Sequence, residues 1–287
     1  MSFEFTEPPA EFFSSEKPLK IPRRYREKKD EASLARQGLT LNGLSGLVYT
    51  ETTEKLERHR LLFGSYYSYT PWSTRYDHSF SKSETGALQT WQISAMYPTD
   101  TGEIAVTIPY HYYDLSAPRL FGLPAHQHTG LGDAKIAGKL SWYPRKRYYQ
   151  FGCGVVVDFP TGEKRSLRAA GVTGQESIKL YGNVSTEETR DLRGHVQLGY
   201  IFKEDGFDVY FYNIAADYKL AKQSSLLVEF VGSEGPDGYG SNLDFVPSVR
   251  VAISEAFSGT LSTPFNLYND REFGYDYRII LGSMYRW

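Results

Sequence analysis

Glu272-Phe273-Gly274-Tyr275-Asp276-Tyr277-Arg278-Ile279-Ile280-Leu281-Gly282-Ser283-Met284-Tyr285-Arg286-Trp287 alternates almost without a break to the end of the chain. Phe273, Tyr275, Tyr277, Ile279, Leu281, Ser283, Tyr285 and Trp287 fall on one face, and the residues between them on the other. Successive side chains of a strand point to opposite faces of the sheet. A strand of a soluble sandwich alternates in the same way but normally runs for about five or six residues. A longer, Tyr-rich stretch that closes on an aromatic residue reads as the last strand of a transmembrane β-barrel. One face of it meets lipid and the other a polar lumen, and the sheet closes on itself because hydrocarbon cannot satisfy an open edge.

Composition agrees with that reading. Aromatic residues make up 15% of the 287 residues, with 23 Tyr, 17 Phe and 4 Trp. Mean hydropathy is nevertheless negative, and no apolar run approaches the roughly 20 residues of a spanning helix. A barrel reconciles the two facts, because half of each strand and all the connections are polar while Tyr and Trp form girdles at the membrane interfaces. A net charge of −2 gives no sign of nucleic-acid binding. The single cysteine, Cys153, excludes an internal disulfide framework and reads as a small apolar residue pointing outward between Phe151 and Val155. The amino terminus shows no basic, apolar, small-residue export signal. The expectation is therefore a mature chain from which a signal has been removed, with Met1 added.

Residues 1–39 differ from the rest of the chain. They hold Pro8, Pro9, Pro18 and Pro22 and the charged run Arg23 to Glu31, with no strand pattern. They read as an N-terminal periplasmic tail, lid or plug, with a short helix near Asp30 to Gln37; the lid reading centres on Pro18 to Gln37. Residues 40–287 read as the barrel. Twelve spanning strands are expected near 57–69, 87–98, 102–113, 131–143, 147–159, 174–186, 193–203, 207–219, 221–233, 243–254, 257–267 and 272–287, an even number as in single-chain bacterial barrels. Short connections at 98–101, 144–146, 203–206, 220–223 and 255–256 read as periplasmic turns. Connections at 70–86, 114–130, 160–173, 187–192, 234–242 and 268–271 read as loops of the opposite side.

Several segments carry a resemblance. Gly130-Leu131-Gly132-Asp133, then Asp158-Phe159-Pro160-Thr161-Gly162, then Tyr181-Gly182-Asn183-Val184-Ser185 with His195-Val196-Gln197-Leu198-Gly199-Tyr200, and finally Phe211 to Tyr218 are similar, in this order, to strand and turn motifs of the bacterial outer-membrane family named for meta-pathway phenol degradation. The resemblance covers roughly residues 130 to 287. Upstream, Gly43-Leu44-Ser45-Gly46-Leu47-Val48-Tyr49-Thr50 resembles the opening of other outer-membrane barrels, some of them linked to exopolysaccharide export. The chain departs from the pattern in ending on Trp287 instead of Phe and in its charged front segment. The resemblance implies an uptake channel for small, often aromatic, molecules.

Alternation also assigns the two faces. Tyr110, Tyr112, Tyr200, Tyr210, Tyr212, Tyr285 and Trp287 are expected to face lipid, several of them in an interfacial girdle. Asp133, Lys135, Lys139, Lys179 and His195 are expected to face the lumen. So are Asp217, Glu229, Arg250, Asp276 and Arg278, since Arg or Lys on the lipid face near the midplane costs about 2–4 kcal/mol. Both signs occur on neighbouring strands, which fits charge ladders bracing the wall; unpaired bases attracting an anionic solute remain the alternative.

No enzyme signature emerges. His126-Gln127-His128 reads as polar loop residues and not as a metal site, and Gly130-x-Gly132 lacks the third glycine of a dinucleotide site. His111, Ser94 and His195 do not assemble into a nucleophile, base and acid at one height. The expected function is passage of a small aromatic or anionic solute across a bacterial outer membrane, with no cofactor and no metal. Its partners would be lipid, the solute and, through residues 1–39, a periplasmic or envelope protein. A structural or envelope-assembly barrel with a closed lumen and a barrel-embedded lipid hydrolase are the alternatives.

Overall fold

A computed structural model describes residues 37–53, 60–74, 85–115, 127–142, 149–162, 176–187, 189, 191–204, 208–236, 240–270 and 273–287. Residues 1–36, and with them nearly all of the expected tail, helix and lid, lie outside the described residues, as do His126 and the turn at 144–146.

The wall begins with β1 (Leu62–Thr74), β2 (Thr85–Pro98) and β3 (Gly102–Leu115). It continues through β4 (Gln127–Leu131), β5 (Ala134–Trp142), β6 (Tyr149–Phe159), β7 (Ser177–Glu187), β8 (Leu192–Lys203), β9 (Val209–Ala221), β10 (Ser224–Glu234) and β11 (Ser241–Ala252). It ends with β12 (Phe257–Ser262), β13 (Phe265–Asn269), β14 (Phe273–Gly274) and β15 (Ile279–Arg286). Three wall strands are interrupted. Both β4 and β5 pair with β3, on either side of Gly132 and Asp133. Both β12 and β13 pair with β11, broken at Thr263 and Pro264, where proline supplies no ladder N–H. Both β14 and β15 pair with β1.

Counted as wall strands, the fifteen segments form a twelve-stranded antiparallel barrel. It is closed, because β15 returns to β1 and β10 pairs with β11. No helix among the described residues is long and apolar enough to cross a membrane; strands do the crossing.

An up-and-down wall places its connections alternately at two ends, so parity and not length decides the side. The connection between β7 and β8, expected among the long loops, lies at the same end as the turn between β2 and β3. The connection between β8 and β9, expected among the short turns, lies at the opposite end. We call these the turn end, where β1 starts and the chain finishes, and the loop end.

The closing stretch also differs from unbroken alternation. Between Gly274 and Ile279 the strand breaks, and Tyr275 turns into the lumen, its hydroxyl 2.5 Å from Asp244 Oδ2 and its ring centroid 4.6 Å from the Arg278 guanidinium carbon. From Ile279 onward alternation resumes, with Ile280, Met284 and Arg286 buried on the lumen side and Leu281, Tyr285 and Trp287 exposed on the other.

Elsewhere the outward face carries Ile104, Val106, Ile108 and Tyr110 on β3, Val196, Leu198 and Phe202 on β8, and Tyr210 and Ile214 on β9, all exposed as a lipid-facing surface must be. Tyr112 and Tyr200 share that outward parity and are half-buried. Tyr200 packs against Phe202 and Tyr210, with ring centroids 4.6 and 4.5 Å away. Tyr212 is also half-buried, its ring lying over Gly232 of β10, where a side chain would collide with it. Cys153 is exposed on the outer face.

On the inner face an apolar row crosses the wall. Leu62, Met96, Ala105, Ala137 and Val156 are successive cross-strand partners, and the row passes through Lys179 to Ile201 and Val209. It starts at the turn end of β1 and finishes at the loop end of β9, as the strand tilt of a closed barrel requires. With every ladder closed, the barrel is expected to resist SDS until heated: unboiled protein should run as a compact band and shift to its 32.7 kDa position on boiling. One unshifted position before and after boiling would speak against a closed wall.

Candidate functional site in the lumen

The lumen is occupied by the chain itself. Residues 40–53, which the sequence reading placed at the start of the barrel, lie inside the wall, and the wall starts only at Leu62. The physical reason is local. Asn42-Gly43 and Ser45-Gly46 favour tight turns, and Gly43 adopts φ 81°, a conformation open to glycine. Thr40 N–H donates to Leu44 O at 2.7 Å, and Leu47 N–H to Thr50 O at 3.0 Å. Bridges join Leu39 to Ser45 and Gly46 to Glu51. The result is a compact folded strap and not a strand. Its Leu39 and Leu44 sit in one apolar cluster with Leu62, Met96, Phe211 and Met284 of the wall.

The wall holds this strap mainly by its backbone. Glu229 on β10 accepts three consecutive N–H groups, from Val48 at 2.9 Å, Tyr49 at 3.1 Å and Thr50 at 2.8 Å. Successive N–H groups converging on one anion form a nest. Arg250 on β11 does the converse, donating to Gly46 O at 3.1 Å and Leu47 O at 3.0 Å. Gly38 lies against that guanidinium so closely that any Cβ would collide with it.

Lys139 on β5 donates to Ser45 O at 3.1 Å and Thr52 O at 2.6 Å, and lies 3.1 Å from Glu103 of β3. Glu103 in turn accepts the Ser45 N–H at 3.0 Å and its hydroxyl at 2.6 Å. Arg278 reaches the Tyr49 hydroxyl at 3.0 Å.

The strap's own charge is Glu51, which is fully buried. Its carboxylate accepts Asn42 Nδ2 at 2.6 Å and Gln197 Nε2, and lies 3.6 Å from Lys179 Nζ. Asn183 donates to its carbonyl at 2.7 Å. Burial by itself opposes its ionisation; the charge of Lys179 and the bonds from Asn42 and Gln197 more than offset that, so Glu51 titrates below the ordinary carboxylate range.

Beyond Glu51, Thr53 N–H donates to Ser185 Oγ at 3.2 Å. Ser185 Oγ lies 2.8 Å from His195 Nδ1, whose Nε2 lies 3.1 Å from Asp217; Arg193 stands 3.1 Å from the same carboxylate. The order serine, histidine, aspartate is that of a hydrolytic triad. Ser185, however, already accepts the strap's N–H, and it lies two residues from the turn end of β7. The chain of bonds anchors Thr53 to the wall.

Of the residues expected in the lumen, Lys139, Lys179, Glu229, Arg250 and Arg278 therefore touch the strap, and His195 and Asp217 act through Ser185. Lys135 pairs with Asp158 at 3.3 Å, half-exposed, an arrangement contributing about 0–1 kcal/mol. Asp133 sits in the break between β4 and β5, where it accepts the Gly162 N–H at 3.0 Å, and not among the strap contacts. Asp276, in the break between β14 and β15, is exposed, because alternation does not carry through that break.

Sequence reasoning passed over Glu103, Asn183, Ser185 and Gln197. The parity that sends Ile104 outward sends Glu103 inward, so that one was available; the uncharged three had no charge to draw attention. Among the described residues no three or more His, Cys, Asp or Glu side chains converge on a metal-sized site.

Replacing Glu229 by Ala is expected to release the strap's central turn, since three N–H groups lose a charged acceptor at once. Hydrogen bonds to a charged group contribute about 1.5–3 kcal/mol each. Relief of the buried carboxylate returns part of this, so the opening equilibrium should shift by about tenfold to a hundredfold. Amide exchange at Val48, Tyr49 and Thr50 measures it; unchanged protection would refute the anchoring role.

No family model matches the chain, and no curated protein matches it in sequence. Among solved structures, it resembles the crystal structure of an outer-membrane channel from Pseudomonas putida F1, at 12% identity and a TM-score of 0.68, over 84% of this chain and all (100%) of that one. The KdgM porin aligns over 78% of this chain and 98% of its own, at 11% identity and a TM-score of 0.49, too low to carry an argument. At these identities the likeness concerns the fold.

Proposed function

We propose that this chain is an outer-membrane channel for a small solute, with its lumen closed by residues 38–53 acting as a displaceable stopper. One observation carries the reading: the closure is made by a separate strap bound through its backbone to wall charges, and not by wall side chains alone. A wall of twelve strands encloses more space than the eight-stranded barrel that side chains fill. The strap occupies that space, and a part held by hydrogen bonds can leave without breaking the wall.

The turn end, with the short turns and the chain terminus, would face the periplasm and the loop end the exterior. The inward apolar row suits a solute with an apolar body, and Lys179 and Arg250 suit an anionic one. The solute class is thus small and aromatic or anionic. A structural barrel with a permanently shut lumen is the competing reading, since the strap is bound at so many points.

Single-channel recording of the full chain beside a variant lacking residues 40–53 separates them. Frequent, long openings in the deleted barrel, rare in the full chain, are the expected result. A deleted barrel that still shows heat-modifiable migration yet conducts no more than the full chain would establish the structural reading.

A further inference from the structure

The contact between Glu51 and Lys179 is the loosest of those holding the strap. At 3.6 Å it exceeds the roughly 2.7–2.9 Å of a charge-assisted hydrogen bond. Lysine carries three donors. The Lys179 ammonium otherwise meets two rings, with Phe211 centred 4.3 Å and Tyr181 5.4 Å from Nζ. The Tyr181 hydroxyl is buried and has no hydrogen-bond partner among the described residues. That hydroxyl packs over Gly154 of β6, while the Lys179 ammonium meets the ring and keeps donors unused. The ammonium's remaining donors match the oxygens of a carboxylate.

Position adds direction. Lys179 lies two residues from the loop end of β7, whereas Asn183, which holds the Glu51 carbonyl, lies four residues deeper. Its side chain is 16% exposed while that of Glu51 is wholly covered. A solute entering from the loop end meets Lys179 before the strap. The cross-strand neighbours of Lys179 in its row are Val156 and Ile201, both apolar. Val156 is covered, but Ile201 is only half-buried and offers a surface for an apolar body behind the carboxylate.

We propose that Lys179, with the Phe211 and Tyr181 rings beside it, forms a receptor for a small carboxylic acid with an apolar body. The carboxylate of Glu51 occupies this receptor's ammonium in the closed state, and an incoming acid competes for it. Binding draws Lys179 away from Glu51. That carboxylate is then buried with two neutral amide donors and no countercharge, which is unfavourable enough to loosen the strap. The solute thereby weakens the stopper that blocks it. This inference rests on the channel reading above and names the solute class and the trigger for the same lumen.

Benzoate tests it, with benzamide as the neutral molecule of the same shape. The full chain is recorded in planar bilayers with either compound added on the loop side. Benzoate should raise open probability in a saturable way and benzamide should not. Lys179→Met should open the strap without benzoate, because Glu51 loses its countercharge, and should weaken benzoate binding in calorimetry about tenfold or more. Glu51→Gln should lower the half-effective benzoate concentration, because the internal competitor is weakened. Calorimetric titration of the detergent-solubilised full chain with benzoate should follow the same order, independently of conduction.

Equal responses to benzoate and benzamide would overturn the proposal, as would an unchanged benzoate affinity in the Lys179→Met variant. If the barrel lacking residues 40–53 conducts and benzoate neither binds nor opens the full chain, the channel stands and the carboxylate receptor falls. If no variant conducts at all, the channel reading falls and this one with it.

Discussion

Removing residues 40–53 should convert a mostly closed barrel into a persistently open one, raising time-averaged current about tenfold or more. The deletion removes every strap group that Glu229, Lys139, Gln197 and Asn183 hold, together with the two strap carbonyls that Arg250 holds, and it leaves the wall ladders from Leu62 onward intact. Wall charges buried only because the strap covers them would then be reached by water, so the wall should tolerate the loss far better than it would tolerate a broken strand. The exposed lumen would carry both signs, with Glu103 and Glu229 set against Lys139, Lys179 and Arg250. Ion selectivity measured from reversal potentials should therefore be weak. A strongly selective deleted channel would mean that one sign of charge remains masked.

The barrel was legible because its signal repeats. Alternation such as Ile104, Val106, Ile108 and Tyr110 against Glu103, Ala105 and Thr107 is a wall-wide requirement of a sheet with lipid on one side, and it is written into each strand. Alternation fails at Tyr275 and Asp276, where a local break turns an aromatic ring toward Arg278; four residues between the two strand segments leave no periodic trace. Length is a misleading guide to the sides of the 187–192 and 203–206 connections. Strand parity around β7, β8 and β9 alone determines them.

The strap was less legible for a deeper reason. Its binding is directed at backbone groups, and an N–H of Val48 or a carbonyl of Leu47 looks the same in any sequence. What the sequence does carry is the absence of alternation between Thr40 and Thr53 and the turn-forming Asn42-Gly43 and Ser45-Gly46 pairs. The inward charges were read as ladders bracing the wall, and Lys139 with Glu103 does form a cross-strand pair. The same two groups also grip Ser45, which wall parity cannot reveal.

That pair provides the second large effect, and its sign separates a gripping role from simple charge neutralisation. Lys139 and Glu103 side chains are 0% and 2% exposed, so each is compensated chiefly by the other and by Ser45. Lys139→Met leaves Glu103 as a buried carboxylate without a countercharge, an arrangement that costs about 3–5 kcal/mol. The barrel has an escape that a soluble core lacks: the strap undocks and water reaches Glu103. The expected outcome is therefore a rise in open probability of about two to three orders of magnitude with little change in the temperature at which the compact band is lost. Adding Glu103→Gln to Lys139→Met removes the stranded charge and keeps an acceptor for the Ser45 N–H, so the double variant should close again, part of the way to the full chain. Salt provides the control. Exposed ion pairs weaken as the Debye length falls from about 10 Å at 0.1 M to 3 Å at 1 M, whereas contacts this deeply covered are screened much less. Open probability of the unaltered chain should accordingly change little over that range. A double variant more open than Lys139→Met would show that the carboxylate itself, and not its balance with the lysine, keeps the strap in place.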